Sequence, residues 1–454
     1  MSWLSRFAAR TFYRLELAGG SVPAAGPVLL VANHPNSLLD PALVAAAARR
    51  PVRFLAKAPL FSDPKIGWLV RGAGSIPVYR RADDPAAVGR NEEMFRAVHA
   101  ALAAGAAVGI FPEGISHSAS SLAPLKTGAA RIALGAAPAV GGAFPVVPVG
   151  LCYRRKDRFR SEALALVGAP VRWDDLADAG TGEPAAVREL TRRIEAALHE
   201  TTINLERWED EPLVECAEAV YAAAFEAEDA PGRRVARRRE AAEALARLRR
   251  AGDGAWTAVA RDVARHGRML AKLGLRPADL RRAPRWSRAV TWTLRQLAWF
   301  LLGAPLGAAG SVVFWPPYRL TSRVEQWASP DLDRRSTYKL LYGALLHLAW
   351  IGALSGAAAR AGGWRAGLAA AIGLPALALL TVAVRDRWED ARADARRYLL
   401  LRGRNGVYER LRSRQREIAD RLEALRREAA ALAAGTDAPP AEAPALPSSR
   451  GAEP

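Results

Sequence analysis

Two apolar stretches of about 20 residues, Leu340–Ala359 and Ala366–Val384, carry no Asp, Glu, Lys or Arg, and each is long enough as a helix to cross a bilayer's hydrocarbon core. Arg360 and Arg365 sit in the short turn between them, so the pair reads as a helical hairpin. Lipid offers the backbone no hydrogen-bond partners, which leaves few other folds open to such segments. Basic residues flank the outer ends (Arg334, Arg335 and Lys339; Arg385, Arg387 and Arg392), and this bias places those ends in the cytoplasm. An earlier apolar segment, Leu297–Trp315, is interrupted by Gly303, Pro305, Gly307 and Gly310 and followed by Pro316-Pro317. For it, crossing, re-entering and lying in the interface all stay open. If it does not cross, the N-terminal region is cytoplasmic too.

Upstream of these membrane segments (286–386), residues 22–172 alternate short apolar runs with helical stretches. The runs Val28–Ala32, Val52–Leu55, Ser75–Tyr79, Ala107–Phe111 and Phe144–Leu151 read as strands buried on both faces. Helices are predicted near 38–49, 85–104 and 126–137. Such alternation predicts an α/β sheet layered with helices over 21–205. Residues 206–285 are rich in Ala, Arg and Glu and read as a helical region. Residues 387–434 form a charged amphipathic or coiled-coil helix, in which Leu411, Ile418, Leu425 and Leu432 recur every seven residues with Tyr408, Gln415, Leu422 and Ala429 beside them. Self-association as a homodimer through 408–432 and packing along the hairpin's cytoplasmic end are both compatible with that seam. The Ala-, Pro- and Ser-rich tail, 435–454, is predicted to be disordered. At the other end, residues 1–20 read as an interfacial helix with Arg6, Arg10 and Arg14 along one stripe, or as a helix packed on the protein's own surface. They have no continuous apolar core and so do not read as a secretory signal.

The formal net charge is +19, almost all of the base being arginine. A cationic chain is drawn to anionic lipid and phosphorylated substrates. Nucleic acid is not expected as a partner, because no recognised motif or aromatic-basic platform accompanies the charge. A transporter reading meets the opposite difficulty, since the apolar segments carry no buried charge to line a pathway. The two cysteines, Cys152 and Cys216, supply neither a disulfide framework nor a zinc site.

Chemistry concentrates in two stretches. The first is Val31-Ala32-Asn33-His34-Pro35-Asn36-Ser37-Leu38-Leu39-Asp40-Pro41. A buried strand delivers His34 into a loop, Asn36 or Ser37 can cap the next helix, and Asp40 falls in that helix's first turn with its carboxylate aimed back at His34. Such a pair fixes the imidazole tautomer and stabilises the imidazolium formed when His34 accepts a proton. A loop histidine beside a capped helix is the plainer alternative. The second is Phe111-Pro112-Glu113-Gly114-Ile115-Ser116-His117-Ser118, where a glycine turn after a strand exposes backbone amides to phosphate or acyl oxygens. Lys126-Thr127-Gly128 then opens a helix whose N-terminus also favours anions. Between the two stretches, Arg80 and Arg81 at a strand end suit a phosphate clamp, with a solvated strand end as the alternative.

Taken together, these residues resemble the glycerol-phosphate and lysophosphatidate acyltransferase superfamily. Its Asn-His-x-x-x-x-Asp, Gly-x-Ile/Phe-x-x-x-Arg and Phe-Pro-Glu-Gly motifs and its later apolar Pro-containing strand appear here in order, as His34 with Asp40, Gly74 with Arg80, Phe111 to Gly114, and Pro145-Val146-Val147-Pro148. The chain departs from the pattern twice. Five residues, not four, separate His34 from Asp40, and Ile115-Ser116-His117 replaces the usual Thr-Arg-Ser. Both departures resemble the fungal-type glycerol-3-phosphate/dihydroxyacetone-phosphate acyltransferases and their bacterial relatives.

The resemblance implies an enzyme of phospholipid biosynthesis in the inner (cytoplasmic) membrane, with its active site facing the cytoplasm. It would move a fatty acyl group from acyl-CoA or acyl-carrier protein to the hydroxyl of glycerol-3-phosphate, dihydroxyacetone phosphate or lysophosphatidate. His34 and Asp40 would be catalytic; Arg80, Arg81, Glu113, Gly114, Ser116 and Lys126 would bind substrate. No metal or redox cofactor is implied. A lysophospholipid or other lipid O- or N-acyltransferase, and a basic non-enzymatic membrane protein, are the competing readings.

Overall fold

The strand Val28–Ala32 is buried along its whole length, yet its two faces enter different cores. Leu29 and Val31 join one, while Val28, Leu30 and Ala32 join the other, as the twofold period of a strand requires. The computed structural model describes residues 2–436 except 65, 81–88, 226–229, 253, 282–285, 329–331 and 403–404. In chain order the elements are α1 (Ser2–Phe12), β1 (Arg14–Gly19), β2 (Val28–Ala32), α2 (Leu39–Ala48), β3 (Val52–Lys57), α3 (Pro59–Ser62), α4 (Gly67–Gly72), β4 (Ile76–Val78), α5 (Asn91–Ala103), β5 (Ala107–Ile110), α6 (Gly128–Val140), β6 (Val146–Tyr153) and β7 (Glu162–Val167). There follow α7 (Pro184–Thr201), α8 (Glu211–Phe225), α9 (Pro231–Ala251), α10 (Ala255–Leu273), α11 (Trp286–Val313), α12 (Trp315–Ala328), α13 (Leu332–Arg402) and α14 (Asn405–Thr436).

The strands form a 7-stranded sheet in the order β1-β7-β6-β2-β5-β3-β4. β6, β2, β5, β3 and β4 run parallel and so end at one edge, whereas β7 is antiparallel to β6. Helices α1 and α2 cover one face and α5, α6 and α7 the other, giving an α/β/α layering. The apolar runs of the sequence coincide with β2 to β6. β1 and β7 were not among them. Residues 1–20 are correspondingly not one helix: α1 stops at Phe12, and Arg14–Gly19 pairs with Glu162–Val167 as an edge strand. Alternating Arg14, Leu15, Glu16, Leu17 suits a half-exposed edge and does not mark itself as a buried run.

Two further expectations are corrected. Neither Asn36 nor Ser37 caps α2 through its side chain. The C-terminal seam packs on the helical region and not along the hairpin's cytoplasmic end: Tyr408 and Leu411 pack with Leu270, Leu275 and Leu280, and Ile418 with Val220, Val259 and Val263. Gln415, the polar interruption of that seam, donates to the Pro277 carbonyl at 3.1 Å and lies 3.3 Å from His266 Nε2.

α13 breaks at Gly363, whose backbone (φ 80, ψ 176) only glycine adopts readily. Its two arms meet just beyond the break: a Cβ on Gly367 would lie 2.6 Å from Ala359 Cβ. Both feet reach the sheet domain. Lys339 Nζ donates to the Asp157 carbonyl at 2.8 Å, and Arg160 Nε donates to Asp386 at 2.8 Å. Leu345, Leu348, Leu368, Ile372 and Leu379 are exposed along the arms, and Thr337–Leu399 is long and apolar enough to cross a membrane. α11 bends by 49° between Trp292–Leu301 and Gly303–Val313. Its glycines, read from the sequence as weakening a span, are where α13 packs closest, since a Cβ on Gly310 would lie 1.9 Å from Thr381 Oγ1 and one on Gly307 2.8 Å from Val384 Cγ1. Arg81 and residues 437–454 of the tail lie outside the described residues.

Candidate active site

β2 ends one residue before Asn33, and the Asn33 side chain extends the ladder past the strand's end. It donates from Nδ2 to the Leu151 carbonyl at 3.0 Å and accepts from the Leu151 amide at 2.7 Å. His34 follows, at the carboxyl edge of a central parallel strand, where open α/β sheets bind their ligands. Its ring stacks on Phe111 with centroids 4.0 Å apart and planes 13° from parallel.

His34 Nδ1 lies 2.8 Å from Asp40 Oδ2. An ionised carboxylate only accepts, so Nδ1 carries the proton and Nε2 is left as the basic nitrogen. Asp40 is fully buried, and its oxygens have further donors: the Asn36 amide to Oδ2 at 2.7 Å and the Tyr153 hydroxyl to Oδ1 at 2.6 Å. Burial, and then the neighbouring Asp40 charge, push the Tyr153 hydroxyl well above the usual phenol range, so it stays protonated and donating. Asn36, also fully buried, donates from Nδ2 to the Tyr13 hydroxyl at 2.6 Å. Sequence reasoning missed Tyr153 and Tyr13. No local pattern marks them, because both reach the pair only through the pairing of β1 and β6 with β7.

The extra residue between His34 and Asp40 is absorbed at Ser37, which adopts a left-handed backbone (φ 47). The Ser37 amide donates to Ser116 Oγ at 3.0 Å. Ser116, expected to touch substrate, therefore holds the His34 loop in shape while also lining the cleft.

Glu113, likewise expected to bind substrate, points inward and is almost wholly buried. Oε1 accepts from the His34 amide at 2.8 Å, and Oε2 accepts from the Ala123 amide at 2.8 Å and from His117 Nε2. His117 Nδ1 accepts from the Ala119 amide at 3.1 Å, which fixes its proton on Nε2. The Glu113 carboxylate thus ties together the His34 loop, the backbone at Ala123 and the His117 ring. Its expected role is corrected on that account: burial leaves it no face toward the cleft. Gly114 has φ +72, a conformation that favours glycine, and a Cβ there would sit 2.7 Å from Nζ at the flexible end of Lys126.

Arg80 Nη1 donates to the Gly114 carbonyl at 2.9 Å, which ties the strand-end arginine to the glycine turn. Lys57, the last residue of β3, and Arg80 and Lys126, in the loops beyond β4 and β5, line the cleft beside His34. Lys57 was not singled out from the sequence. The cleft, about 2240 Å³, continues from His34 to the inner faces of α12 and of both arms of α13, including Phe314, Leu340, Leu348 and Leu379. One wall is cationic and the other apolar, so the arrangement can hold an anionic head beside the base with a hydrocarbon chain running toward the hairpin.

Residues 14–152 match the family model described as Acyltransferase. Over 138 residues the chain is 35% identical to Glycerol-3-phosphate O-acyltransferase 2 of Saccharomyces cerevisiae, covering 29% of this chain and 18% of that protein. It is 32% identical over 153 residues to the Lyso-ornithine lipid O-acyltransferase of Pseudomonas aeruginosa, covering 34% of this chain and 53% of that protein. The matches thus span a small part of the yeast relative and about half of the bacterial one. Among solved structures, the 1-acyl-sn-glycerophosphate (LPA) acyltransferase PlsC from Thermotoga maritima aligns at 20% identity with a TM-score of 0.33, covering 44% of this chain and 77% of that one. The His34–Asp40 pair and the Phe111–Gly114 turn both fall inside the segment, Arg14 to Cys152, that matches the acyltransferase family model.

Proposed function

We propose that this chain is a membrane-bound O-acyltransferase that moves a fatty acyl group from a thioester donor to the hydroxyl of a glycerol-phosphate-type acceptor. One observation carries the proposal: a histidine with Nδ1 fixed by a buried carboxylate lies in a cleft that is cationic on one side and apolar on the other. His34 Nε2 takes the proton of the acceptor hydroxyl, and the oxygen attacks the thioester carbonyl. The C–S bond then breaks, and the imidazolium returns its proton to the departing thiolate. Arg80, Lys126 and Lys57 hold the acceptor phosphate, with Gly114 opening the turn between them. The backbone of that turn faces the developing oxyanion. The scheme needs no metal or redox group. The apolar hairpin of α13 anchors the enzyme in the inner membrane, and the basic residues at its feet favour an active site on the cytoplasmic side.

The test is transfer of labelled acyl groups by membranes containing the protein, with glycerol-3-phosphate, dihydroxyacetone phosphate, lysophosphatidate and lyso-ornithine lipid as acceptors. Transfer to one of the three phosphorylated acceptors is expected. His34→Ala should stay folded and membrane-bound while losing on the order of 10²–10⁴-fold in rate. Undiminished transfer by that variant refutes the assignment of the base. A preference for lyso-ornithine lipid refutes the phosphorylated acceptor.

A further inference from the structure

The loop between β6 and β7 brings a second set of cations to the same cleft, on the other flank of His34 from Lys57, Arg80 and Lys126. It is a built turn. The Arg158 amide donates to the Arg155 carbonyl at 3.1 Å, the Ser161 amide to the Arg158 carbonyl at 3.2 Å, and the Arg155 amide to Ser161 Oγ at 3.1 Å. Two of its cations point inward and are engaged. Lys156 Nζ donates to the Pro35 carbonyl at 2.8 Å, one residue from the base, and also to Ser118 Oγ. Arg160 binds Asp386 and the carbonyls of Arg10, Thr11 and Tyr13. Arg155 and Arg158 differ. Both are exposed, both line the cleft, and among the described residues neither side chain has a hydrogen bond or ion pair. Both lie three residues apart in one turn and line the cleft, and guanidinium is suited to binding phosphate oxygens.

We propose that this turn binds the phosphates of a coenzyme A thioester, making it the donor-side anion site of the cleft. The inference rests on the acyl-transfer reading, because a two-substrate reaction with a phosphorylated acceptor and a phosphorylated donor must hold two mutually repelling anions around one base. Separate cation sets on the β5–β3–β4 flank and the β6 flank meet that requirement, with His34 between them. Lipid headgroups carry the same chemistry, and Lys339, at the foot of the apolar arm, is bonded to Asp157 in this very loop.

The experiment is Arg155→Gln/Arg158→Gln, purified into phosphatidylcholine nanodiscs with and without phosphatidylglycerol. Two readouts are taken, the kinetics of acyl transfer and direct binding of a non-hydrolysable acyl-CoA analogue without acceptor. The KM for acyl-CoA and the analogue's Kd should rise about ten- to a hundredfold, as expected for two lost charge-assisted contacts. The acceptor KM and kcat should stay within about twofold of wild type. The wild type's preference for acyl-CoA over its 3′-dephospho form should shrink in the variant. An effect seen only with phosphatidylglycerol present, or on acceptor KM instead of donor KM, or on an acyl-carrier-protein donor alone, overturns the proposal, as does an unchanged Kd. If no acceptor is acylated but analogue binding is lost in the variant, the site stands and the acceptor reading falls.

Discussion

Asp40 gathers its hydrogen bonds from three directions, and only one of them is His34. The Tyr153 hydroxyl and the Asn36 amide hold a fully buried carboxylate aimed at His34 Nδ1. Removing a hydrogen bond to a buried charge costs roughly 1.5–3 kcal/mol. Tyr153→Phe should therefore lower kcat by about ten- to a hundredfold, at 1.36 kcal/mol per decade, while leaving the acceptor KM nearly unchanged. Initial-rate assays over a range of acceptor concentrations check both, and a normal kcat would reduce Tyr153 to a packing residue. Asn33 and Glu113 act at the same scale, fastening the His34 loop to β6 and to the glycine turn.

The elements differ in how plainly the sequence announces them. β2, β3, β5 and β6 are apolar runs because helices cover both faces, and the His34 and Phe111–Gly114 stretches follow two of them, so the core of the sheet and the meeting of His34 with Asp40 were legible. β1 and β7 were not, because β1 is a half-exposed edge whose alternation mixes Arg14 and Glu16 with leucines. Tyr13 and Tyr153 stayed hidden with them. The role of Glu113 was misread for a related reason: a carboxylate in a motif says nothing of which way it faces, and here backbone amides distant in sequence claim both oxygens. The seam of α14 was visible, but its partner was not, because α8 and α10 offer only ordinary helical faces. That packing has a pH consequence. His266 of α10 is fully buried, and burial, outweighing its bond with Gln415, lowers its pKa below the ordinary 6.5. The folded state thus keeps His266 neutral while the unfolded chain takes up a proton as pH falls through 6.5, so stability is lost on acidification below that point. Thermal melts of the purified protein at pH 7.5 and 5.5 should show a lower Tm in acid, and His266→Gln should narrow the difference.

At the scale of the whole molecule the question is which parts lie on which side of the bilayer. Cysteine chemistry can answer it, because burial pushes the Cys152 and Cys216 thiols up to about 11 and leaves little native background. A cysteine at Ala361, beside the Gly363 break, should react with an impermeant maleimide only from the periplasmic face. One at Asp174, on the sheet domain, should react only after the membrane is opened. Labelling of both from one side would rule out a hairpin that crosses. The hairpin is fastened at both feet, by Lys339 to Asp157 and by Asp386 to Arg160 and Arg14, with Asp390 also on Arg14 at 3.0 Å. An anchor gripped at two points is no tether. With the hairpin in a bilayer, it would give His34 a fixed altitude above the lipid, and a thicker or thinner bilayer would tilt the entire body, cleft included, instead of paying out slack in a linker.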